Sequence, residues 1–250
     1  VIEMEENDEQ KNESDELLTT VFDITKPDAL LLDEIHKKES SLDDIKLEEL
    51  NAKRLLEEIV SRKNKINDDL GSLKVKHGTS FYNRLYAVEP SGSYTTYDKR
   101  HLFRMGGEHE FYQAGDQQVI VSYKGWKLAL FICYDLRFPV WSRNVDMAYD
   151  AAIYVANWPA PRANAWRTLL QARAIENLAY VIGVNRVGTD ANDLAYAGDS
   201  LLVDFKGGLA LDLKAEDQIL TAELSALELA DFRAKFPAHL DADSFSLSSL

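Results

Sequence analysis

The chain has one cysteine, Cys133, and its thiol is the side chain best suited to covalent chemistry. It follows the apolar run Leu128 to Ile132 in the stretch GWKLALFICYDLRFP, which a polar Tyr-Asp step closes. A short apolar run of this kind predicts a buried strand that ends just before the thiol. Ligands of open α/β sheets bind at that edge, which favours a nucleophile facing a substrate. Free cysteine is also a common core residue, so a structural role is the alternative.

A nucleophilic thiol at neutral pH needs help from neighbouring groups. The pKa of an ordinary cysteine thiol is about 8.5, so only a few per cent of the thiol is ionised at pH 7. A nearby cation or base is therefore required to form the thiolate. Lys99, in YDKRH, could supply the cation, and Glu34, in DALLLDEI, the base. His101 or His109 could instead act as the base of a cysteine-histidine hydrolase.

The run Glu108, His109 and Glu110 also contains ligand types that metal ions use. Three consecutive residues on a strand cannot all point one way, because alternate side chains leave opposite faces. The sequence therefore predicts no metal site there, and no metal or organic cofactor has a role in the chemistry that we expect.

Composition limits the class of protein. The chain has 250 residues, 46% of them hydrophobic, which is enough for one large α/β domain. A lone cysteine excludes an intramolecular disulfide, and the absence of a long apolar run or signal-like segment predicts a cytoplasmic protein. A formal net charge of -14 argues against nucleic acid or an anionic membrane as partner. Of the partner classes considered, a small-molecule substrate is therefore the one that we expect.

The first 70 residues differ in amino-acid composition from the rest of the predicted single domain, 1–250. They carry 21 acidic against 10 basic residues, whereas 71–250 carry 21 against 18, and all 12 glycines lie at or after Gly71. The segment LDDIKLEELNAKRLLEEIVSRKNKI has apolar residues near helical spacing and predicts an amphipathic helix. The charge-rich start, VIEMEENDEQKNESDELL, is not expected to form a buried strand.

From residue 71 onward, strand and helix patterns alternate. Strands are predicted on both sides of SGS at 91–93, on both sides of Lys124-Gly125, and at DAAIYVANWP and LAYVIGVNRVG. A helix is predicted at NAWRTLLQARAIEN. The last two predicted strands, AGDSLLVDF and DQILTAEL, would enclose the KGG turn. This alternation indicates α/β architecture, with sheets covered by helices.

Four motifs carry a family resemblance: YDKRHLF at 97–103, CYDLRFPVWSRN at 133–144, YVANWPAPR at 154–162 and ARAIENLAYVIGVNRVG at 172–188. Together they resemble the nitrilase superfamily, the carbon-nitrogen hydrolases, and most of all its bacterial omega-amidase type. The resemblance implies a four-layer α-β-β-α sandwich, at least a dimer, and a catalytic cysteine, lysine and glutamate. It places the nucleophile on Cys133, the lysine on Lys99 and a second glutamate on Glu108.

The general-base glutamate of the family has no clear counterpart, because the Leu-Pro-Glu pattern that carries it is absent. Glu34 follows the apolar run Leu30 to Leu32, which is consistent with a buried strand. Glu3 has only two residues before it, and we expect no strand there. We therefore assign the general base to Glu34, although Asp33 stands where the family has proline.

The resemblance also implies a route for amide hydrolysis. Cys133 would attack the amide carbonyl, with the Tyr134 backbone N–H and the Lys99 ammonium stabilising the oxyanion. Arg137 would bind a substrate carboxylate, or else pair with Asp135 or another carboxylate as part of the scaffold.

Two further candidate site residues lie at the end of the strand predicted at DAAIYVANWP. Asn157 and Trp158 follow a predicted strand end and are expected to line the pocket, with a core position as the alternative for Trp158. A non-catalytic relative, in which residues 1–70 no longer build the glutamate site, stays open beside the two hydrolase hypotheses.

Overall fold

The computed structural model describes residues 72–89 and 91–247 in full and residues 2–3 and 17–22 as backbone strands. Three predicted features lie outside these residues: the strand at 30–32, Glu34 and the amphipathic helix before Gly71. None of the described helices combines the length and apolar character that a membrane span requires.

The described elements alternate much as the sequence predicts. The strands are β1 (Ile2–Glu3), β2 (Leu17–Phe22), β3 (Leu73–His77), β4 (Ser80–Val88), β5 (Tyr94–Asp98), β6 (Ile120–Tyr123), β7 (Trp126–Ile132), β8 (Ala151–Ala156), β9 (Tyr180–Asn185), β10 (Val187–Thr189), β11 (Ala195–Ala197), β12 (Leu201–Val203), β13 (Leu209–Asp212) and β14 (Thr221–Ser225). The α-helices are α1 (Glu108–Phe111), α2 (Ala163–Asn177) and α3 (Ala226–Lys235).

A six-stranded sheet with the order β13-β12-β9-β8-β7-β6 forms the centre of the fold. Strands β7, β8 and β9 run parallel to one another, and the outer strands are antiparallel. Every residue of β8 and β9 is buried, which explains their unbroken apolar sequences, since a strand covered on both faces does not alternate. The carboxyl ends of these parallel strands therefore meet at one edge of the sheet.

Helix α2 packs on the central sheet. Its buried face includes Trp166 and Leu170, which lie against Gly183 of β9. A Cβ atom at Gly183 would collide with both side chains, so glycine permits this close approach of helix and strand. The helix ends at Leu178, which adopts a left-handed conformation.

A second, three-stranded sheet, β3-β4-β5, packs against the central sheet. Tyr97 of β5 is fully buried, and its ring meets Phe131 of β7 edge-on at a centroid distance of 6.1 Å. The described residues thus supply a helix layer and two sheet layers, as the predicted α/β sandwich requires. The fourth layer would include the predicted helix before Gly71, outside the described residues.

Two of the predicted turns are confirmed. Lys124 and Gly125 both have positive φ, 46° and 83°, as expected for a two-residue hairpin that joins β6 and β7. The SGS segment turns between β4 and β5, closed by a hydrogen bond from the Glu89 N–H to the Ser93 carbonyl.

Two predictions about strands are wrong. The KGG turn joins β12 to β13, a short strand that the sequence pattern did not reveal, whereas β14 pairs with β2 in another sheet. Residues Ile2–Glu3 do form a strand, paired with Val21 and Phe22. We expected no strand there, because only two residues precede Glu3. Both errors have one cause: these short strands depend on a partner strand and not on their own pattern.

Candidate active site

Cys133 lies where the sequence places it, at the carboxyl end of β7. Strand β7 ends at Ile132, and Cys133 begins a 3-10 turn that extends to Arg137. Its φ of 44° is left-handed, a conformation that non-glycine residues rarely adopt and that recurs at functional sites. The thiol points towards the end of the neighbouring strand β8, where it contacts the Asn157 carbonyl at 3.9 Å. Asn157 therefore lies beside the sulfur, as predicted.

Lys99 and Glu108 form an ion pair beside this turn, in which the lysine is buried and the glutamate is partly exposed. Lys99 directly follows β5, is 2% exposed, and donates from Nζ to both carboxylate oxygens of Glu108, at 2.9 and 2.7 Å. Glu108 also accepts a hydrogen bond from the Phe103 N–H at 2.7 Å. Among the described residues, Lys99 thus uses two of the three N–H donors that an ammonium carries.

The segment around Glu108 is helical and not a loop or strand. Glu108 is the first residue of the one-turn helix α1, and Gly107 before it has a φ of 72°. The expectation of alternating strand side chains for Glu108, His109 and Glu110 is therefore wrong. Within the described residues, no group of three His, Cys, Asp or Glu side chains is arranged to hold a metal ion.

The environment of Cys133 raises the pKa of its thiol. Burial is the largest cause, because it disfavours the charged thiolate, and the Glu108 carboxylate acts in the same direction. The Lys99 ammonium opposes both by favouring the thiolate. Since burial prevails, the resting thiol is neutral near pH 7, and a base must remove its proton before attack.

Tyr134 and Arg137 occupy the turn after the nucleophile. The Tyr134 ring makes edge-to-face contacts with Phe103 and Phe138, at centroid distances of 5.0 and 5.1 Å. Arg137 is exposed, and its guanidinium lies 5.1 Å from the centroid of the Trp158 ring. No ion pair joins Arg137 to Asp135 within the described part of the chain, so the scaffold alternative for Arg137 gains no support.

Trp158 is a core residue with one polar edge. It is 3% exposed, and its Nε1 donates to the Arg162 carbonyl at 2.8 Å. Its backbone N–H donates to Oδ1 of the buried Asn185. Trp158 therefore takes the core position that was the alternative in the sequence, with its ring beside the Arg137 guanidinium.

Neither candidate histidine is bonded to the thiol. His109 is exposed on α1, and His101 binds Asp135 through Nδ1 at 2.8 Å while its ring stacks on Phe138. In residues 72–89 and 91–247, no hydrogen bond joins either imidazole to Cys133. The described residues therefore show no contact between a histidine and the thiol of the kind that a cysteine-histidine hydrolase requires.

Sequence reasoning missed several residues next to the nucleophile. Asp135 is fully buried and accepts hydrogen bonds from Tyr97, His101 and Ile132. The only signal in the sequence was a charged residue directly after an apolar strand, which is also common in exposed turns. Arg162 was missed too, and its guanidinium lies 5.3 Å from the Phe103 ring centroid.

Comparisons with known proteins identify the family of the chain. The family described as carbon-nitrogen hydrolase matches residues 51–234 of the chain. The omega-amidase YafV of Escherichia coli strain K12 is 51% identical over 178 residues, which are 71% of this chain and 69% of the relative. The 2-oxoglutaramate amidase of Bacillus subtilis strain 168 is 33% identical over 183 residues, 72% of this chain and 70% of the relative. Glu34 lies outside the residues that the family matches.

Solved structures show the same architecture. The crystal structure of XC1258 from Xanthomonas campestris, a CN-hydrolase superfamily protein with an arsenic adduct in its active site, has a TM-score of 0.69 and 47% identity over 72% of each chain. Nit3 of Saccharomyces cerevisiae, from branch 10 of the nitrilase superfamily, has a TM-score of 0.58 and 25% identity over 63% of this chain and 58% of its own. The predicted α/β sandwich is confirmed.

Proposed function

The chain belongs to the carbon-nitrogen hydrolase family, and on that premise we propose that it releases ammonia from the terminal amide of a short, carboxylate-bearing substrate through a thioester on Cys133. The observation that carries this proposal is the position of the thiol. It lies at the carboxyl edge of the parallel strands, in a left-handed turn, beside the ion pair of the buried Lys99 with Glu108.

In the first half-reaction, a base removes the thiol proton and the sulfur attacks the amide carbonyl. The raised thiol pKa makes that base necessary, and we assign the role to Glu34. The tetrahedral oxyanion accepts hydrogen bonds from the third Lys99 N–H and the Tyr134 backbone N–H. A single donor of this kind is worth about 3 kcal/mol in the transition state.

Ammonia departure completes the first half-reaction: protonated Glu34 passes its proton to the departing nitrogen, so the carbon-nitrogen bond breaks and ammonia leaves. In the second half-reaction, Glu34 takes a proton from water as the water oxygen attacks the thioester. Glu34 then returns that proton to the departing Cys133 sulfur as the carbon-sulfur bond breaks, which releases the carboxylic acid and restores both the thiol and the Glu34 carboxylate. Through this cycle, Glu108 holds Lys99 with two hydrogen bonds, so that the ammonium need not reorganise.

Arg137 is the residue that we propose to bind the substrate carboxylate. Its guanidinium is exposed four residues after Cys133 and lies on the Trp158 ring. Within residues 72–89 and 91–247 no ion pair occupies its planar N–H fork, whose geometry suits a bidentate contact with a carboxylate. Asn157 and Trp158 would line the same side of the pocket. The omega-amidase and 2-oxoglutaramate amidase relatives support four- or five-carbon monoamides of dicarboxylic acids, including their 2-oxo derivatives, as substrates.

An ammonia-release assay tests the proposed activity. The purified chain should hydrolyse 2-oxoglutaramate or another short dicarboxylic acid monoamide, and it should be less active on a neutral primary amide of equal length. The difference is expected because only the acidic amide can bind Arg137. If the chain released no ammonia from any of these amides, the non-catalytic alternative would replace the proposal.

The same assay separates a cysteine-histidine hydrolase from the proposed scheme. His101→Asn combined with His109→Asn removes both imidazoles, which the proposed scheme does not use as bases. A general base contributes about a hundredfold or more to turnover, so retained activity would exclude both histidines from that role.

We further propose that the enzyme acts in the cytoplasm as a homodimer or higher homo-oligomer, with a small-molecule substrate and with neither nucleic acid nor a membrane as partner. The net charge of -14 supports the exclusion of polyanions. Light scattering of the purified chain measures the oligomeric state, and a mass of one chain would contradict the proposed homo-oligomer.

A further inference from the structure

Asp135 is a fully buried carboxylate that the proposed chemistry does not use. Its Oδ1 accepts hydrogen bonds from the backbone N–H and from Nδ1 of His101, at 2.9 and 2.8 Å. Its Oδ2 accepts hydrogen bonds from the Tyr97 hydroxyl and from the Ile132 N–H, at 2.7 and 3.0 Å. Each carboxylate oxygen therefore receives two donors, which uses the full accepting capacity of the group.

The donors bracket the two residues that carry the chemistry. Tyr97 and His101 lie two residues before and two residues after Lys99, and Ile132 directly precedes Cys133. We propose that Asp135 is a positioning residue, which fixes the Lys99 ammonium relative to the Cys133 thiol by joining the two chain segments that carry them. This inference rests on the proposed function only for its effect on turnover.

The fold explains why such a link is needed. Lys99 follows β5, in the three-stranded sheet, whereas Cys133 follows β7, in the six-stranded sheet. No hydrogen-bonded ladder joins β5 to β7, so neither sheet by itself sets the distance between the two side chains. A carboxylate bonded to both segments sets that distance directly.

Two further contacts stiffen the arrangement. The Trp141 Nε1 donates to the Tyr97 hydroxyl at 3.0 Å, which leaves the hydroxyl hydrogen to point at Asp135. The His101 ring stacks on Phe138 with a centroid distance of 3.7 Å. Because the Asp135 carboxylate can only accept hydrogen bonds, the ring donates to it from Nδ1. The bond from Ile132 also anchors the chain immediately before the left-handed Cys133.

A positioning role differs from a purely structural role in its effect on the thiol. The charged groups that act on Cys133 are Lys99, which lowers its pKa, and Glu108 and Asp135, which raise it. Displacing Lys99 without removing the Asp135 charge should therefore raise the thiol pKa. A loss of fold stability alone would leave that pKa unchanged in the folded molecules.

The test uses variants of the donors, which keep the Asp135 charge. Tyr97→Phe and His101→Ala each remove one hydrogen bond, whereas His101→Asn keeps an N–H donor near the position of Nδ1. Asn144→Ala is the control, because Asn144 is also a buried polar residue and bonds Tyr149 and Asn177 at the opposite end of β8. The pH dependence of alkylation by iodoacetamide gives the thiol pKa, and steady-state assays give kcat and KM.

We expect Tyr97→Phe and His101→Ala to raise the thiol pKa and to lower kcat about tenfold, as small misplacements of catalytic groups do, with KM within about twofold of the parent. His101→Asn should restore both values, and Asn144→Ala should lower only the melting temperature. An unchanged thiol pKa in Tyr97→Phe and His101→Ala would overturn the proposal. The alkylation measurement needs no amide substrate, so it decides about Asp135 even if the proposed amidase activity fails.

Discussion

Two ion pairs of the molecule have almost the same geometry and very different surroundings. Lys99 reaches Glu108 at 2.7 Å beside the nucleophile, and Arg167 of α2 reaches Asp212 at the same distance on the far side of the sheet. The Lys99 side chain is 2% exposed and the Arg167 side chain 28%. Arg167 also binds Asp199, so its charge is balanced by two carboxylates.

The nitrogen–oxygen distance of an ion pair therefore does not by itself identify a functional charge. The Arg167 cluster lowers the pKa of Asp212, mainly through the hydrogen bond from Arg167. The Lys99–Glu108 pair changes the pKa of a third group, the Cys133 thiol. What distinguishes the pair that we propose to act in catalysis is a buried cation beside a group whose ionisation matters.

The largest expected contrast comes from removing each cation. Lys99→Met should lower kcat for amide hydrolysis by about a hundredfold to a thousandfold, the cost of one oxyanion donor. Arg167→Met should leave kcat within about twofold and lower the free energy of unfolding by only about 1 kcal/mol, as for other exposed pairs. Steady-state kinetics and thermal unfolding of both variants give these values. Equal losses of kcat would erase the distinction between the two pairs.

The next contrast concerns the base that the buried site requires. Glu34→Gln should lower turnover by at least about a hundredfold, because a neutral amide cannot accept the thiol proton. Glu3→Gln is the matched control and should be silent. Turnover numbers for the two variants decide the assignment, and the reverse outcome would move the general base to Glu3.

A smaller effect is expected at the substrate end of the site. Arg137→Leu should raise KM for an acidic monoamide about tenfold to a hundredfold, since a charge-assisted bidentate contact is lost, and spare a neutral amide of equal length. Comparing kcat and KM on the two amides measures this. The same loss on both substrates would assign Arg137 to the scaffold.

The smallest effects are shifts in the thiol pKa. Lys99→Met should raise it and Glu108→Gln should lower it, because the two charges act on the thiolate in opposite directions. At pH 7 the rate of alkylation by iodoacetamide should therefore fall in the first variant and rise in the second. Arg167→Met should not change the rate. Shifts of the same sign in the first two variants would contradict the electrostatic account.

The position of the nucleophile could be predicted from the sequence, because one local pattern determines it. An apolar run before Cys133 is enough to place the thiol at a strand end. Lys99 and Glu108 were found only through the family resemblance, since nothing local separates them from ordinary surface charges. Asp135 was missed because its role depends on Tyr97 and His101, which lie 38 and 34 residues away in sequence.

The errors in the predicted fold have a similar origin. The short strand β13, with the sequence LALD, is half exposed and has no clear alternation, so only its pairing with β12 defines it. The pairing of β14 with β2 was likewise missed, because β2, with the uncharged sequence LLTTVF, directly follows a charge-rich stretch that predicted no buried strand. The assignment of Glu34 stays a prediction, because the motif that marks this glutamate in the family is absent here.

The central claim is that Cys133 forms a covalent bond with the substrate, and ammonia release by Cys133→Ala tests it most directly. The substitution removes one sulfur atom at the edge of the sheet, so the melting temperature should stay close to that of the parent. With a short dicarboxylic acid monoamide as substrate, the parent should release ammonia and the folded variant should release none above the uncatalysed rate. Ammonia release by folded Cys133→Ala at a rate similar to that of the parent would contradict the thioester mechanism.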